Sequence, residues 1–175
     1  MVAPDLRKAV EAKDIKPCRV VVLGCGLGVN SIYLAQEGFD VTAIDVAPTA
    51  LDKAESNAKE AGVKIRWLLA NVLTLPELEP FDLIFDRGCY HYVRYDDAKG
   101  FIESLDRLSR PGTKFFVLSC NRDSAPGVRE STMREDFSEL FDFEWVRNST
   151  IFTGKEGKGR LPSWSVMLRR KEKVT

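Results

Sequence analysis

The stretch that decides the fold is Arg19-Val20-Val21-Val22-Leu23-Gly24-Cys25-Gly26-Leu27-Gly28. Its first half is an unbroken β-branched and apolar run with no polar alternation. Such a run reads as a strand buried on both faces, the mark of a parallel sheet. Three spaced glycines follow, and a helical pattern begins at Val29. Glycines let the backbone approach a ligand closely. The helix start offers unpaired N–H groups to an anionic part of that ligand. In open α/β sheets this crevice, beyond the carboxyl ends of the strands, is where ligands bind.

Working outward, strands and helices alternate. A short helix at 5–13 precedes the first strand. A helix at 29–37 is ended by Gly38, a strand runs over 39–45, and a helix over 48–61 is closed by Gly62. Strands follow at 63–70 and 81–86. A helix at 96–109 stops at Pro111-Gly112, and a fifth strand covers 114–120. Beyond a loop holding Pro126-Gly127 the rhythm changes to a helix at 131–140 and two strands at 143–153 and 161–169. The Gly-rich turn 154–159 joins these as a hairpin. The pattern predicts one α/β domain over 1–175, with a cofactor half at 18–90 and an acceptor-side half at 91–175. Its sheet has seven strands, mostly parallel, with helices on both faces and a C-terminal antiparallel hairpin.

Composition narrows the function. The chain has 175 residues, 44% apolar and 30% charged, with 26 basic and 26 acidic side chains and no net charge. That balance argues against nucleic acid, which asks for a basic surplus or stripe. The tail Arg169-Arg170-Lys171-Glu172-Lys173 reads as a solvated terminus. Cys18, Cys25, Cys89 and Cys120 form no metal-ligand or redox spacing, so no metal is expected and reduced thiols point to the cytoplasm. No apolar run approaches the ~20 residues that span a bilayer.

The glycine spacing bears on the cofactor. A dinucleotide fingerprint places its third glycine five positions after the first, which here is Val29. The third glycine falls one residue earlier, at Gly28. Asp45 closes the second strand, where a carboxylate can accept both hydroxyls of a ribose; the competing reading is a cap for the helix at Pro48. Asn71 closes the third strand and carries a donor and an acceptor suited to a purine edge, or else serves a turn. After the fourth strand comes Asp86-Arg87-Gly88-Cys89-Tyr90-His91-Tyr92. Arg87 either clamps an anionic ligand or pairs with Asp86 or another acid. His91, the one histidine, either takes a proton from the acceptor or is a partly buried ring bonded to a main-chain carbonyl. Cys89 and Cys120, both at strand ends, are a candidate metalloid pair or simply buried thiols. Tyr90 and Tyr92 wall a pocket or pack, and Trp145 and Trp164 read as core anchors.

These residues carry a resemblance. The segment 21–61, with Asn71 and Asp86, resembles the class I S-adenosylmethionine-dependent methyltransferases, a Rossmann-like fold. Leu23-Gly24-Cys25-Gly26-Leu27-Gly28-Val29-Asn30-Ser31-Ile32-Tyr33-Leu34-Ala35 is similar to the tellurite-resistance and thiopurine branch, as is Phe81-Asp82-Leu83-Ile84-Phe85-Asp86-Arg87-Gly88. The resemblance implies that Gly24, Cys25, Gly26, Leu27, Gly28 and Asn30 lie along the methionine part of S-adenosylmethionine. It implies Asp45 on the ribose, Val46 and Ala47 beside the adenine, Asn71 and Val72 bracketing it, and Asp86 below the transferred methyl. The family usually has Asp where this chain has Asn71. The Asn/Asp-Pro-Pro-Tyr/Phe sequence of base-amino methyltransferases is replaced by Asp86-Arg87-Gly88-Cys89. The implied acceptor is a small molecule: a thiol, a chalcogen or an aromatic heteroatom. Relatives of this branch carry a longer N-terminal lid, whose place would fall to 121–130, to a partner subunit, or to nothing. A non-catalytic S-adenosylmethionine-binding module and a nicotinamide oxidoreductase are the competing readings.

Overall fold

The computed structural model describes residues 1–122, 126–154 and 157–172. Seven strands form one sheet in the order β3-β2-β1-β4-β5-β7-β6, comprising β1 Arg19–Leu23, β2 Asp40–Asp45, β3 Arg66–Leu69, β4 Leu83–Arg87, β5 Lys114–Cys120, β6 Phe141–Thr153 and β7 Gly159–Arg170. The first five pair in parallel, and β7 runs antiparallel to both β5 and β6. The expected architecture is therefore present. Lys155 and Glu156 of the expected hairpin turn lie outside the described residues, as does Lys173 of the tail.

Alternation along β1 shows why its apolar run is unbroken. Val21 and Leu23 enter one core with Ile84, Phe115, Val117, Phe101, Leu105 and Phe137, beneath α4 Tyr90–Leu108 and α5 Glu130–Phe137. Val20 and Val22 enter the other with Phe85, Phe116, Leu118 and Met167, beneath α1 Pro4–Glu11 and α2 Val29–Gln36. The crossover through α3 Pro48–Glu60 continues in the same direction as that through α2, so right-handedness puts α3 on the α2 face. With both faces covered, the carboxyl edge between β1 and β4, where the order reverses, is left as the crevice.

Two expectations are corrected. The third strand is Arg66–Leu69 rather than 63–70, because Val63 N–H instead donates to Ala58 O (3.1 Å) and closes α3 behind left-handed Gly62. α4 begins at Tyr90, six residues before the expected start, and kinks at Asp97 (φ −156°, ψ 88°). The first turn is held by Asp86 from outside the helix, a signal that residue periodicity does not carry.

Phe116 is fully buried between the rings of Phe85 (5.6 Å) and Trp145 (5.7 Å). Phe116→Ala should lower stability by about 3–5 kcal/mol through the cavity it leaves, read as a shifted midpoint in denaturant.

Candidate functional site

The glycine turn takes its shape from left-handed backbone. Gly24, Gly26 and Gly28 have φ of 60°, 54° and 78°. A Cβ on Gly28 would stand 2.9 Å from the Trp67 ring and 3.0 Å from Ala54 Cβ, so helix and sheet meet there with no room for a side chain. Cys25 N–H donates to Ile44 O (2.9 Å), stitching the turn to β2. Asp45 completes the join. Its Oδ2 accepts from Gly26 N–H (2.8 Å) and its Oδ1 from Ala47 N–H (2.9 Å). That second bond sets Asp45 beside the start of α3, whose N-cap residue is Ala47, while no side chain caps an N–H inside the helix. Each carboxylate oxygen keeps a further lone pair for a ligand. The first bond within α2 runs from Ile32 N–H to Gly28 O (2.8 Å). The N–H groups of Val29, Asn30 and Ser31 precede it and point out of the helix start.

Two cavities flank this turn and share Gly24. The smaller, about 220 Å³, is lined by Asp45, Val46, Ala70, Asn71, Val72, Leu73, Cys89, Val93 and Asp96 as well. Among the described residues the Val72 N–H has no partner, whereas Val72 O accepts from Ser104 Oγ (2.6 Å). Asn71 Oδ1 accepts from Leu73 N–H (2.9 Å), so the turn role predicted as its alternative is present and occupies one of its lone pairs. Val46, 67% exposed, offers an apolar wall.

The larger cavity, about 450 Å³, lies between the turn and the β6–β7 hairpin. It is lined by Gly24–Leu27, Val29, Asn30, Arg87, Phe152, Thr153, Gly154, Gly157 and Met1. Asn30 does not offer its side-chain oxygen there: Oδ1 accepts from Ala3 N–H (2.9 Å) and ties the N-terminal segment to α2. Met1, Gly154 and Gly157 border the cavity, and the described residues of 121–130, the first of the three lid candidates, do not line it. Residues 123–125 of that loop lie outside the described residues. Its far end is held inward, with Val128 buried and Gly127 O accepting from Tyr95 OH (2.6 Å). Trp164 Nε1–H donates to Val128 O (2.9 Å), and Trp145 packs on Phe116, as core anchors should.

Arg87 is half-buried, and its Nη2 donates to Phe152 O (2.7 Å). The alternative of an Asp86 partner is excluded, since Asp86 turns both oxygens to the start of α4: Oδ1 to Cys89 N–H (2.9 Å) and Oδ2 to Tyr90 N–H (3.0 Å). Asp86 is fully buried, and burial pushes its carboxyl up to about 7 despite those amide bonds. Its carboxylate therefore serves the helix start from beneath the crevice. His91 is also corrected. Its Nδ1 accepts from Cys120 N–H (3.0 Å) rather than donating to a carbonyl, so the ring proton sits on Nε2 and no lone pair is left to receive one from an acceptor. Burial drops its pKa to about 4. Tyr90 packs between Phe101 and Phe137 and donates to Asp136 Oδ2 (2.6 Å), while Tyr92 is exposed. Cys120 is buried and burial raises the Cys89 thiol, which matches the buried-thiol alternative for this pair. Cys25 is likewise pushed up, to about 12.

Sequence reasoning missed Val93, Asp96, Phe152 and Met1 as cavity walls. Val93 and Asp96 are spaced one helical turn apart, a signal legible once α4 is known to start at Tyr90.

An adenosyl cofactor fits these groups. The unpartnered Val72 N–H can meet a purine nitrogen, the spare Asp45 lone pairs a diol, and the open amides of α2 a carboxylate. Comparison agrees. A family model described as a methyltransferase domain matches residues 20–112, over half of the chain, and the protein belongs to that family. Its methyl donor is S-adenosylmethionine, and structures of this fold have been solved with that molecule or S-adenosylhomocysteine bound. The chain is 24% identical to a 2-heptyl-1-hydroxyquinolin-4(1H)-one methyltransferase of Mycobacteroides abscessus, covering 88% of this chain and 71% of that protein. It is 30% identical to a ubiquinone biosynthesis O-methyltransferase of Rickettsia conorii over 63% of this chain and 38% of that one. Among solved structures, a protein studied for conversion of a disulfide into a thioacetal in echinomycin biosynthesis superposes with a TM-score of 0.86 at 23% identity. That match covers 99% of this chain and 83% of the other. TehB of Haemophilus influenzae gives 0.78 at 22%, covering 98% and 63%. No helix among the described residues is long and apolar enough to cross a membrane.

The His91 environment sets a pH dependence. Its folded pKa, about 4, lies below the ordinary 6.5, so the unfolded chain binds the extra proton between these values. The stability that His91 provides is thus full above pH 6.5 and is lost as pH falls toward 4. His91→Asn should cost more at pH 7 than at pH 4.5, by about 2 kcal/mol, in denaturant titrations at the two pH values.

Proposed function

We propose that residues 1–175 act as one catalytic domain that moves a methyl group from S-adenosylmethionine to an aromatic heteroatom of a small acidic molecule. One observation carries this reading: the nucleoside-sized cavity with Asp45 and Val72 adjoins, at Gly24, a larger cavity walled by an Arg87 that no carboxylate among the described residues neutralises. Asp45 holds the ribose, Val72 N–H the adenine edge, with Val46 and Ala47 beside the ring, and the Gly24–Gly28 turn with the α2 amides the methionine end. The cofactor supplies a sulfonium methyl whose departure leaves a neutral thioether. The protein therefore has no new anion to stabilise, and acceleration comes from alignment and water exclusion.

Arg87 orients the acceptor's oxyanion and, by favouring its ionised form, removes the need for a base. That matches His91, whose lone pair is already engaged and which we assign to joining α4 to β5. The hydroxyquinolone enzyme's printed substrate is of this class, which supports the reading. The likeness of 23–35 and 81–88 to the thiopurine and tellurite-resistance branch supports membership there. Thiols and chalcogen oxyanions remain the second acceptor class; without a thiolate pair they are less favoured.

Calorimetry should show binding of S-adenosylmethionine and S-adenosylhomocysteine, and not NAD. Asp45→Ala should weaken it by about 1–3 kcal/mol. A labelled-methyl panel of phenols, N-hydroxy heteroaromatics, thiols, selenite and tellurite should yield product from the acidic aromatics. No product anywhere would turn the assignment to a non-catalytic binding module. Arg87→Gln should raise KM for acidic acceptors about tenfold and leave cofactor affinity unchanged.

A further inference from the structure

We infer that Asp96 recognises the exocyclic amino group of the adenine and takes over the part left by Asn71. The inference rests on the cofactor reading above. A purine amino group needs an acceptor at the end of the small cavity. The other two acceptors at that end are neutral and each has one lone pair engaged, Asn71 Oδ1 by Leu73 N–H and Val72 O by Ser104 Oγ, so a free carboxylate is the stronger acceptor there. Asp96 lines the same cavity, and no hydrogen bond or ion pair among the described residues engages its carboxylate.

The segment that carries it is fixed rather than loose. Cys89, Val93 and Asp96 all face the cavity, stacked along one side of the first turns of α4. The adjacent side is pinned, since Tyr90 OH (2.6 Å) and Arg94 Nε (2.9 Å) both donate to Asp136 Oδ2 of α5. Tyr95 OH is bound to Gly127 O. Directly after Asp96 the backbone leaves helical geometry at Asp97, whose Oδ1 accepts from Gly100 N–H (2.8 Å) and restarts the helix. The break ends the pinned segment at Asp96, an exposed residue that lines the cavity one helical turn past Val93. With Val72 N–H as donor and Asp96 as acceptor, the cavity offers the complement of the adenine edge that carries the ring nitrogen and amino group.

The test compares S-adenosylhomocysteine with its 6-deamino purine analogue, which keeps the ring nitrogen and lacks the amino group. The wild type should prefer the adenosyl ligand about tenfold, one hydrogen bond's worth. In Asp96→Ala the preference should fall to within about twofold, by loss of adenosyl affinity alone. Asp96→Asn, which keeps an acceptor oxygen, should restore most of it. An unchanged preference in Asp96→Ala would overturn the assignment while leaving the cofactor reading standing. Failure of the wild type to bind either ligand would overturn both.

Discussion

A sheet covered on both faces has only its ends for polar chemistry, and that constraint organises everything else. Val20 and Val22 are sealed beneath α1 and α2, Val21 and Leu23 in the core below α4 and α5. A charged side chain inside either layer would be desolvated without compensation. The chain therefore brings its acids, amides and guanidinium to the carboxyl ends of β1, β2 and β4. The reversal of strand order between β1 and β4 opens a gap there that no crossover fills.

Two aspartates at neighbouring strand ends show how depth decides role. Asp45 and Asp86 each accept two backbone N–H groups. Asp45 is only partly buried, so its spare lone pairs face the cavity. Asp86 is sealed, and the desolvation of its carboxylate outweighs the two amide bonds that favour the charge. By chemistry the two are interchangeable; by position one keeps lone pairs open toward the cavity and the other is spent on the start of α4. The same logic governs Arg87, which spends one N–H on the hairpin carbonyl of Phe152 and so links β4 to the strand pair that closes the larger cavity.

Much of this was legible in the sequence, because the decisive signals are local. The β1 run, the three glycines, Asp45 at the end of β2 and the hairpin glycines each act within a few residues of themselves. What escaped crosses from one element into another. The first turn of α4 is started by Asp86, and the kink at Asp97 breaks the period that would have revealed the helix. The packed-ring alternative for His91 was legible, but the ring is buried and its partner is not a carbonyl but the Cys120 amide, from a strand 29 residues away. The glycines carried more than one meaning: Gly28 is required by Trp67 and Ala54 at least as much as by any ligand.

The His91 bond also bears on the chemistry. A lone histidine just past a strand end invites assignment as a base, yet here the acceptor nitrogen is committed to a main-chain amide. Receiving a proton would break that bond and charge a buried ring, which the drop in pKa to about 4 resists. A methyl transfer to an already ionised acceptor asks for no such step. It asks for a cation to hold the ionised form and for a fixed angle of approach. In the proposed reaction Arg87 would supply the first, and the turn at Gly24, common to both cavities, the second. The fold thus builds its chemistry from positioning, and the groups that in other enzymes move protons are spent here on holding strand ends and helix starts together.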